Sequence, residues 1–193
     1  MEKSLKSIDN KHLLEGYWPN HTTKDSVNIM IHYAKQDSSN QRIRNLSDRI
    51  VSGIHPLDKK SQMMAILNWI LANLEYVYDE NEAKRLFGTT GDVELVKSPI
   101  GVLDSKRYDC DCIATLIVSM FIYLGIQSRI ITVGFSPVEV TGPDNEQTSG
   151  MEHVYVVGYD EQSKKWIIVD PVSHPNEKQM ILDIKQYQVY DIF

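Results

Sequence analysis

The sequence predicts an α+β fold, and three features carry that prediction. The first third repeats apolar residues at helical spacing, the stretch from Cys110 to Leu124 is apolar on nearly every face, and the last third holds short β-branched and aromatic runs separated by turns. N-terminal helices, a central cysteine-bearing helix and an antiparallel sheet packed against it follow from that order.

Thr22 and Thr23 offer N-caps for a helix from Asp25 to Gln36, with Val27, Met30, Ile31 and Ala34 on one face. Ile43, Leu46, Ile50 and Val51 repeat the pattern until Gly53 and Pro56 break it. Asp58 or Ser61 then opens a third helix carrying Met63, Met64, Ile66, Leu67, Ile70, Leu71 and Leu74, and the Met pair and Trp69 read as core. From Asp79 to Arg107 the periodicity fails, and Gly88, Gly91, Pro99 and Gly101 punctuate a long connection. Its position directly before the cysteines points to substrate contact. The buried helix Cys110 to Leu124 stops at Gly125, and strands are expected over Arg129 to Gly134, His153 to Tyr159 and Lys165 to Asp170, with an edge strand over Gln188 to Phe193. A polar loop fills Ser136 to Gly150. The expected organisation is an N-terminal helical extension over residues 1–60 and one main domain over residues 61–193.

Hydrophobic residues make up 42% and charged residues 24% of the 193, the balance of a globular protein. A formal net charge of −6 with no long basic block disfavours nucleic acid as a partner. Met1 to Asn10 lacks the apolar stretch of a secretory signal, and Cys112 to Leu124 is too short to span a bilayer. A cytoplasmic protein with no membrane partner is the expectation. The only cysteines, Cys110 and Cys112, are one residue apart and cannot staple distant segments.

Asp109 stands at the N-cap position, which places Cys110 in the first turn of the buried helix. A thiol there feels the positive end of the helix dipole, which favours thiolate. Downstream, Asp160 to Lys164 reads as a hairpin turn; pairing Gly158 with Lys165 sets His153 directly opposite Asp170, close enough for the carboxylate to hold the imidazole. Asp170 would then fix the tautomer and orientation of His153, leaving the other ring nitrogen to take the thiol proton. A one-residue slip of register would destroy the couple. Zinc held by Cys110, Cys112, His153 and Asp170 is the weaker reading, because Cys-x-Cys is not the usual structural spacing. His12, His21, His32, His55 and His174 are scattered and carry no site.

Tyr108-Asp109-Cys110-Asp111-Cys112-Ile113-Ala114, followed by Leu124-Gly125-Ile126-Gln127-Ser128-Arg129, resembles the signature of the transglutaminase-like superfamily, a papain-like cysteine protease fold. Glu152-His153-Val154-Tyr155-Val156 is similar to its histidine strand, and Lys165-Trp166-Ile167-Ile168-Val169-Asp170-Pro171 to its closing strand. Trp69 to Asp79 and Glu94 to Pro99 resemble the approach to the cysteine in bacterial and phage members. The resemblance covers roughly Ile66 to Val172 and implies Cys110 as nucleophile, His153 as base and Asp170 as orienting residue, in a catalytic domain over 61–193. Tyr108 stands where the family has Gly, and Cys112 where it commonly has a second Asp. Cys112 could form a strained bond to Cys110, bind a metal, or simply pack as a small apolar side chain; packing is the expectation. The Cys110 backbone N–H is the default oxyanion donor, with a second donor expected from the Asp79 to Arg107 connection.

The expected function is cysteine-dependent acyl transfer on a peptide or protein substrate, hydrolytic rather than cross-linking, with no cofactor and no metal. The alternative is a phage virion or scaffold component that keeps the fold and acts by binding an assembly partner.

Overall fold

The computed structural model describes residues 5–7, 14–16, 23–87, 95–135, 151–172 and 184–192. The expected polar loop over 136–150, the histidines 12, 21 and 174, and residue 193 lie outside them. Strands β1 (Leu5–Ser7) and β2 (Leu14–Gly16) pair antiparallel, in a region whose sequence gives no strand signal. Helices α1 (Thr23–Asp37), α2 (Gln41–Ile50) and α3 (Lys59–Asn73) form the expected helical third. Asn40 caps α2 by accepting from the Arg42 N–H, and Asp58, rather than Ser61, caps α3 by accepting from the Ser61 N–H at 3.0 Å.

The expected irregular connection from Asp79 to Arg107 instead contains two helices, α4 (Asp79–Phe87) and α5 (Pro99–Ser105). Helix α4 is rich in charge and is held by contacts to later residues, Glu82 with Lys97 and Asp79 with the Leu95 N–H. By contrast, α5 has a local code: Ser98 accepts from the Gly101 N–H and Pro99 sits in the first turn, where its missing N–H costs nothing. Two short strands flank this region, β3 (Glu75–Tyr76) and β4 (Arg107–Tyr108), paired in parallel so that Tyr76 lies beside Tyr108.

Helix α6 (Cys110–Leu124) is the centre of the molecule. Leu116, Ile117, Val118, Met120 and Phe121 are fully buried, and each large side chain contributes about 1.5–3 kcal/mol by leaving water. Gly125 closes the helix in the left-handed conformation (φ 64°), which glycine adopts without steric cost. Residues of α1, α2 and α3, including Val27, Met30, Ile43, Met63 and Ile66, join α6 in one hydrophobic cluster.

Strands β5 (Ser128–Gly134), β6 (His153–Asp160), β7 (Lys165–Val169) and β8 (Gln186–Asp191) form an antiparallel sheet in the order β7-β6-β5-β8. One face carries Ile130, Val154, Val156 and Val169 into the α6 cluster; the other gathers Ile131, Val133, Tyr155, Val157, Trp166 and Ile168. Gly158 marks the closest approach of β6 to the helices, since a Cβ there would meet the Met63 sulfur at 2.2 Å and a Phe121 ring carbon at 3.0 Å.

The β6–β7 register differs from the expectation by two residues. Gly158 faces Ile167, not Lys165, and the hairpin closes tightly with Asp160 opposite Lys165. The Asp160 carboxylate accepts from the Ser163 N–H and hydroxyl, and Lys164 takes a left-handed conformation (φ 56°). These local bonds favour a four-residue loop over the longer one expected.

Candidate active site

Asp109 opens α6 as its N-cap, accepting from the Cys112 N–H at 3.1 Å, so Cys110 is the first residue of the helix, as the sequence implies. Cys110 is partly buried against the main cluster, whereas Cys112 is 1% exposed. The two thiols therefore occupy different environments although only Asp111 separates them.

Cys112 does more than pack. Its thiol donates to the Leu95 carbonyl at 3.0 Å and accepts from the Lys97 N–H at 3.2 Å, pinning the segment before α5 to the start of α6. Burial, with Asp109 and Asp111 adding to it, pushes this thiol well above its ordinary pKa and keeps it a neutral donor. The expectation of a purely apolar role is corrected by these two bonds.

His153 begins β6 and Asp170 follows the end of β7. His153 Nε2 lies 2.8 Å from Asp170 Oδ2, and Asp170 Oδ1 accepts from the Val172 N–H at 2.9 Å, so both carboxylate oxygens are engaged. The two-residue shift of register spares this couple because strand side chains alternate with a period of two, and the pair stays on one face as diagonal neighbours. Glu152 N–H donates to the Val133 carbonyl although Val133 is the partner of His153; two residues thus stand against one, the arrangement of a β-bulge, which re-aims side chains at a strand end. The His153 side chain is 11% exposed and that of Asp170 2%, so the imidazole is reachable while the carboxylate is shielded.

Three tyrosines lie near the candidate residues. Burial raises the pKa of the Tyr108 phenol, and the nearby Asp170 carboxylate adds to the effect; Tyr155 is raised by the same two causes. The Tyr76 phenol is raised by burial first and by Cys110 second. Tyr76 meets Tyr108 edge-to-face at 5.7 Å, and Tyr155 stacks on His153 at 6.1 Å between centroids. Charge on Cys110 is thus felt at Tyr76 and charge on Asp170 at Tyr108, and the two rings meet just before the start of α6. Tyr155 was not singled out by sequence reasoning; its place two residues after His153, on the same strand face, was the available signal.

Next to the first turn of α6 lies a buried charged knot. Glu82, 2% exposed, accepts from Arg85 at 2.7 and 2.9 Å and from Lys97 Nζ at 3.0 Å, with Arg107 Nε at 3.4 Å. Arg85 first, and then Lys97, hold the Glu82 carboxyl down at about 2 against the opposing effect of burial. Lys97 connects the knot to Cys112 through its backbone N–H. The zinc reading of Cys110, Cys112, His153 and Asp170 gains no geometric support: among the described residues the His, Cys, Asp and Glu ligand atoms that converge within 4.8 Å belong to Asp109, Asp111 and Cys112. Of these, Asp109 and Asp111 already cap the Cys112 N–H and Cys112 holds Leu95 and Lys97.

The comparisons agree with this architecture. The sequence profile of the transglutaminase-like superfamily matches residues 44–171, more than half of the chain, and the protein belongs to that family. No curated protein matches the chain. Among solved structures, a proposed protease from Parabacteroides distasonis ATCC 8503 is similar at 14% identity and a TM-score of 0.53, over 96% of this chain and 34% of that one. A proposed cysteine protease from Cytophaga hutchinsonii aligns at 16% identity and 0.49, over 89% and 52%, and a TGase at 13% and 0.43, over 82% and 35%. The chain thus spans about half or less of the length of these relatives, and the likeness is one of fold. Among the described residues no helix is long and apolar enough to cross a membrane.

Proposed function

We propose that this protein is a cysteine-dependent hydrolase of peptide or amide bonds, with Cys110 as nucleophile, His153 as base and Asp170 as the residue that orients it. The observation that carries the reading is the 2.8 Å bond from His153 Nε2 to a shielded carboxylate, beside a helix whose first residue is a partly buried thiol. With Nε2 turned to Asp170, Nδ1 is the nitrogen left to receive the Cys110 proton. The thiolate then attacks the substrate carbonyl, a sulfur–carbon bond forms, and the oxyanion draws on backbone N–H groups at the start of α6. The amide nitrogen leaves with the proton returned by His153, giving a thioester; His153 next deprotonates water, which attacks the thioester carbonyl and releases the acid and the thiol. The family and the protease-like neighbour in P. distasonis support the reaction class. No observation favours the alternative of a virion or scaffold protein acting by binding alone.

The test is to incubate the protein with a glutamine-containing peptide and a labelled primary amine. Ammonia or cleaved peptide should exceed incorporated amine, and Cys110→Ala should abolish both. Predominant amine incorporation would replace hydrolysis with cross-linking, and no turnover in the parent protein on a panel of peptides would overturn the enzymatic reading.

A further inference from the structure

A groove of about 740 Å³ opens on the helical side of the molecule, between α2, α3 and α5, and it includes neither Cys110, His153 nor Asp170. Its apolar part comes from Trp69, Leu46, Leu74 and Leu103, of which Trp69 is half-buried against the main cluster. Its cations are Arg42, Arg49 and Lys106, against one lining acid, Asp48. Arg42 is already committed, bonded to Asp104 at 2.7 Å, and Asp48 accepts from the Tyr123 hydroxyl. That leaves Arg49 and Lys106 with no ion partner among the described residues, in a protein whose formal charge is −6.

Lys106 lines the groove from the end of α5. It ends α5 in the left-handed conformation (φ 56°), at a position where glycine or asparagine is favoured.

We propose that this groove docks an acidic peptide segment, seating a carboxylate between Arg49 and Lys106 and an adjacent apolar side chain on Trp69. A carboxylate gains most from cations that have no other partner, and an indole face covers the apolar stem beside it. A nucleic-acid backbone fits less well, because Asp48 and the Asp104 bonded to Arg42 interrupt the cations and leave two separate charges rather than a basic run. The proposal does not rest on the chemistry of Cys110.

The experiment uses the full chain carrying Cys110→Ala, which prevents turnover, and a fluorescein-labelled hexapeptide of alternating Glu and Phe, read by anisotropy at about 0.15 M salt. Arg49→Gln and Lys106→Asn, the latter chosen because asparagine tolerates the left-handed backbone, should each weaken binding about three- to tenfold and together at least tenfold. The matching Gln/Phe peptide should bind at least tenfold more weakly. Equal binding of the two peptides, or unchanged binding in a double variant whose circular dichroism matches the parent, would overturn the proposal. So would a single-stranded DNA oligonucleotide that binds more tightly than the Glu/Phe peptide and loses affinity in the same double variant.

Discussion

His153 Nε2 and Asp170 Oδ2 are 2.8 Å apart, yet the two residues do not face each other across the ladder: continued beyond Val156 opposite Val169, the register sets Asp170 opposite Tyr155. The couple is diagonal, and a shielded carboxylate held also by the Val172 N–H reaches across to an imidazole at a bulged strand end. In the proposed reaction Asp170 orients the imidazole by accepting from it, a role that side-chain shape alone does not supply.

Asp170→Asn keeps the volume and an acceptor for Val172 but presents His153 with an amide that can stabilise the wrong tautomer. We expect kcat/KM for peptide hydrolysis to fall by about 10²- to 10⁴-fold while the unfolding midpoint changes little. Steady-state kinetics beside urea denaturation check this, and activity within about threefold of the parent would remove Asp170 from the site.

The two cysteines should separate in both reactivity and stability. Iodoacetamide near neutral pH should label Cys110 in the folded protein and reach Cys112 only after unfolding, since Cys112 is buried, bonded and held as thiol. Cys112→Ala strands the Leu95 carbonyl and Lys97 N–H and should cost about 1–3 kcal/mol in urea, whereas Cys112→Ser, which can donate and accept, should recover part of it. Equal effects of Ala and Ser would return Cys112 to simple packing. Peptide mapping by mass spectrometry reads the labelling.

How far the sequence could reveal this arrangement depended on the range of each signal. The α1, α2, α3 and α6 helices were legible because apolar periodicity or length marks them, and the place of Cys110 at the start of α6 and the His153–Asp170 bond were legible because an N-cap, a hairpin and a family likeness point to them. Helix α4 was hidden because its stability comes from contacts made far along the chain, Glu82 with Lys97 and Asp79 with the Leu95 N–H. The β6–β7 register was misplaced by two because Asp160, which bonds Ser163, tightens a turn whose length the composition leaves open. An even error preserves the strand face, and so the His153–Asp170 couple survived it. The two hydrogen bonds made by Cys112 had no sequence signal, since both partners are backbone groups more than a dozen residues away.

Glu82 should set the acid limit of the fold. Its folded carboxyl is held at about 2 against an ordinary 4.5, so the unfolded chain binds its proton first as pH falls. The stabilisation is fully present above about 4.5 and is lost as pH drops through about 2. Glu82→Gln should cost about 3–5 kcal/mol near neutral pH, because Lys97 is left buried without its carboxylate, and it should flatten the acid limb of stability against pH. Urea midpoints between about pH 2 and 7 provide the check, and an unchanged acid limb would show that Glu82 is not the titrating group.

Asp109 should act in the opposite sense. Burial raises its carboxyl well above the usual 3.8, and Asp111 adds to this by charge and by a hydrogen bond to the protonated acid, while bonds to Asp79 and Cys112 oppose the shift. The folded state keeps a proton that the unfolded chain gives up above 3.8, so the contribution is fully present below that pH and is lost as pH rises through the raised folded value. The consequence falls on α6: as Asp109 ionises, a buried carboxylate beside Asp111 is introduced at the cap that holds the Cys112 N–H and positions Cys110. Asp109→Asn retains an oxygen to accept from Cys112 and has no proton to lose. Relative to the parent, it should therefore gain stability steadily as pH is raised and show no advantage at the most acidic values. Urea midpoints for both proteins across about pH 4 to 9 measure the difference, which should widen with pH. A constant difference across that range would show that Asp109 does not change protonation between the folded and unfolded states, and a difference that narrows with pH would show that the carboxylate, not the acid, is the form the folded protein prefers.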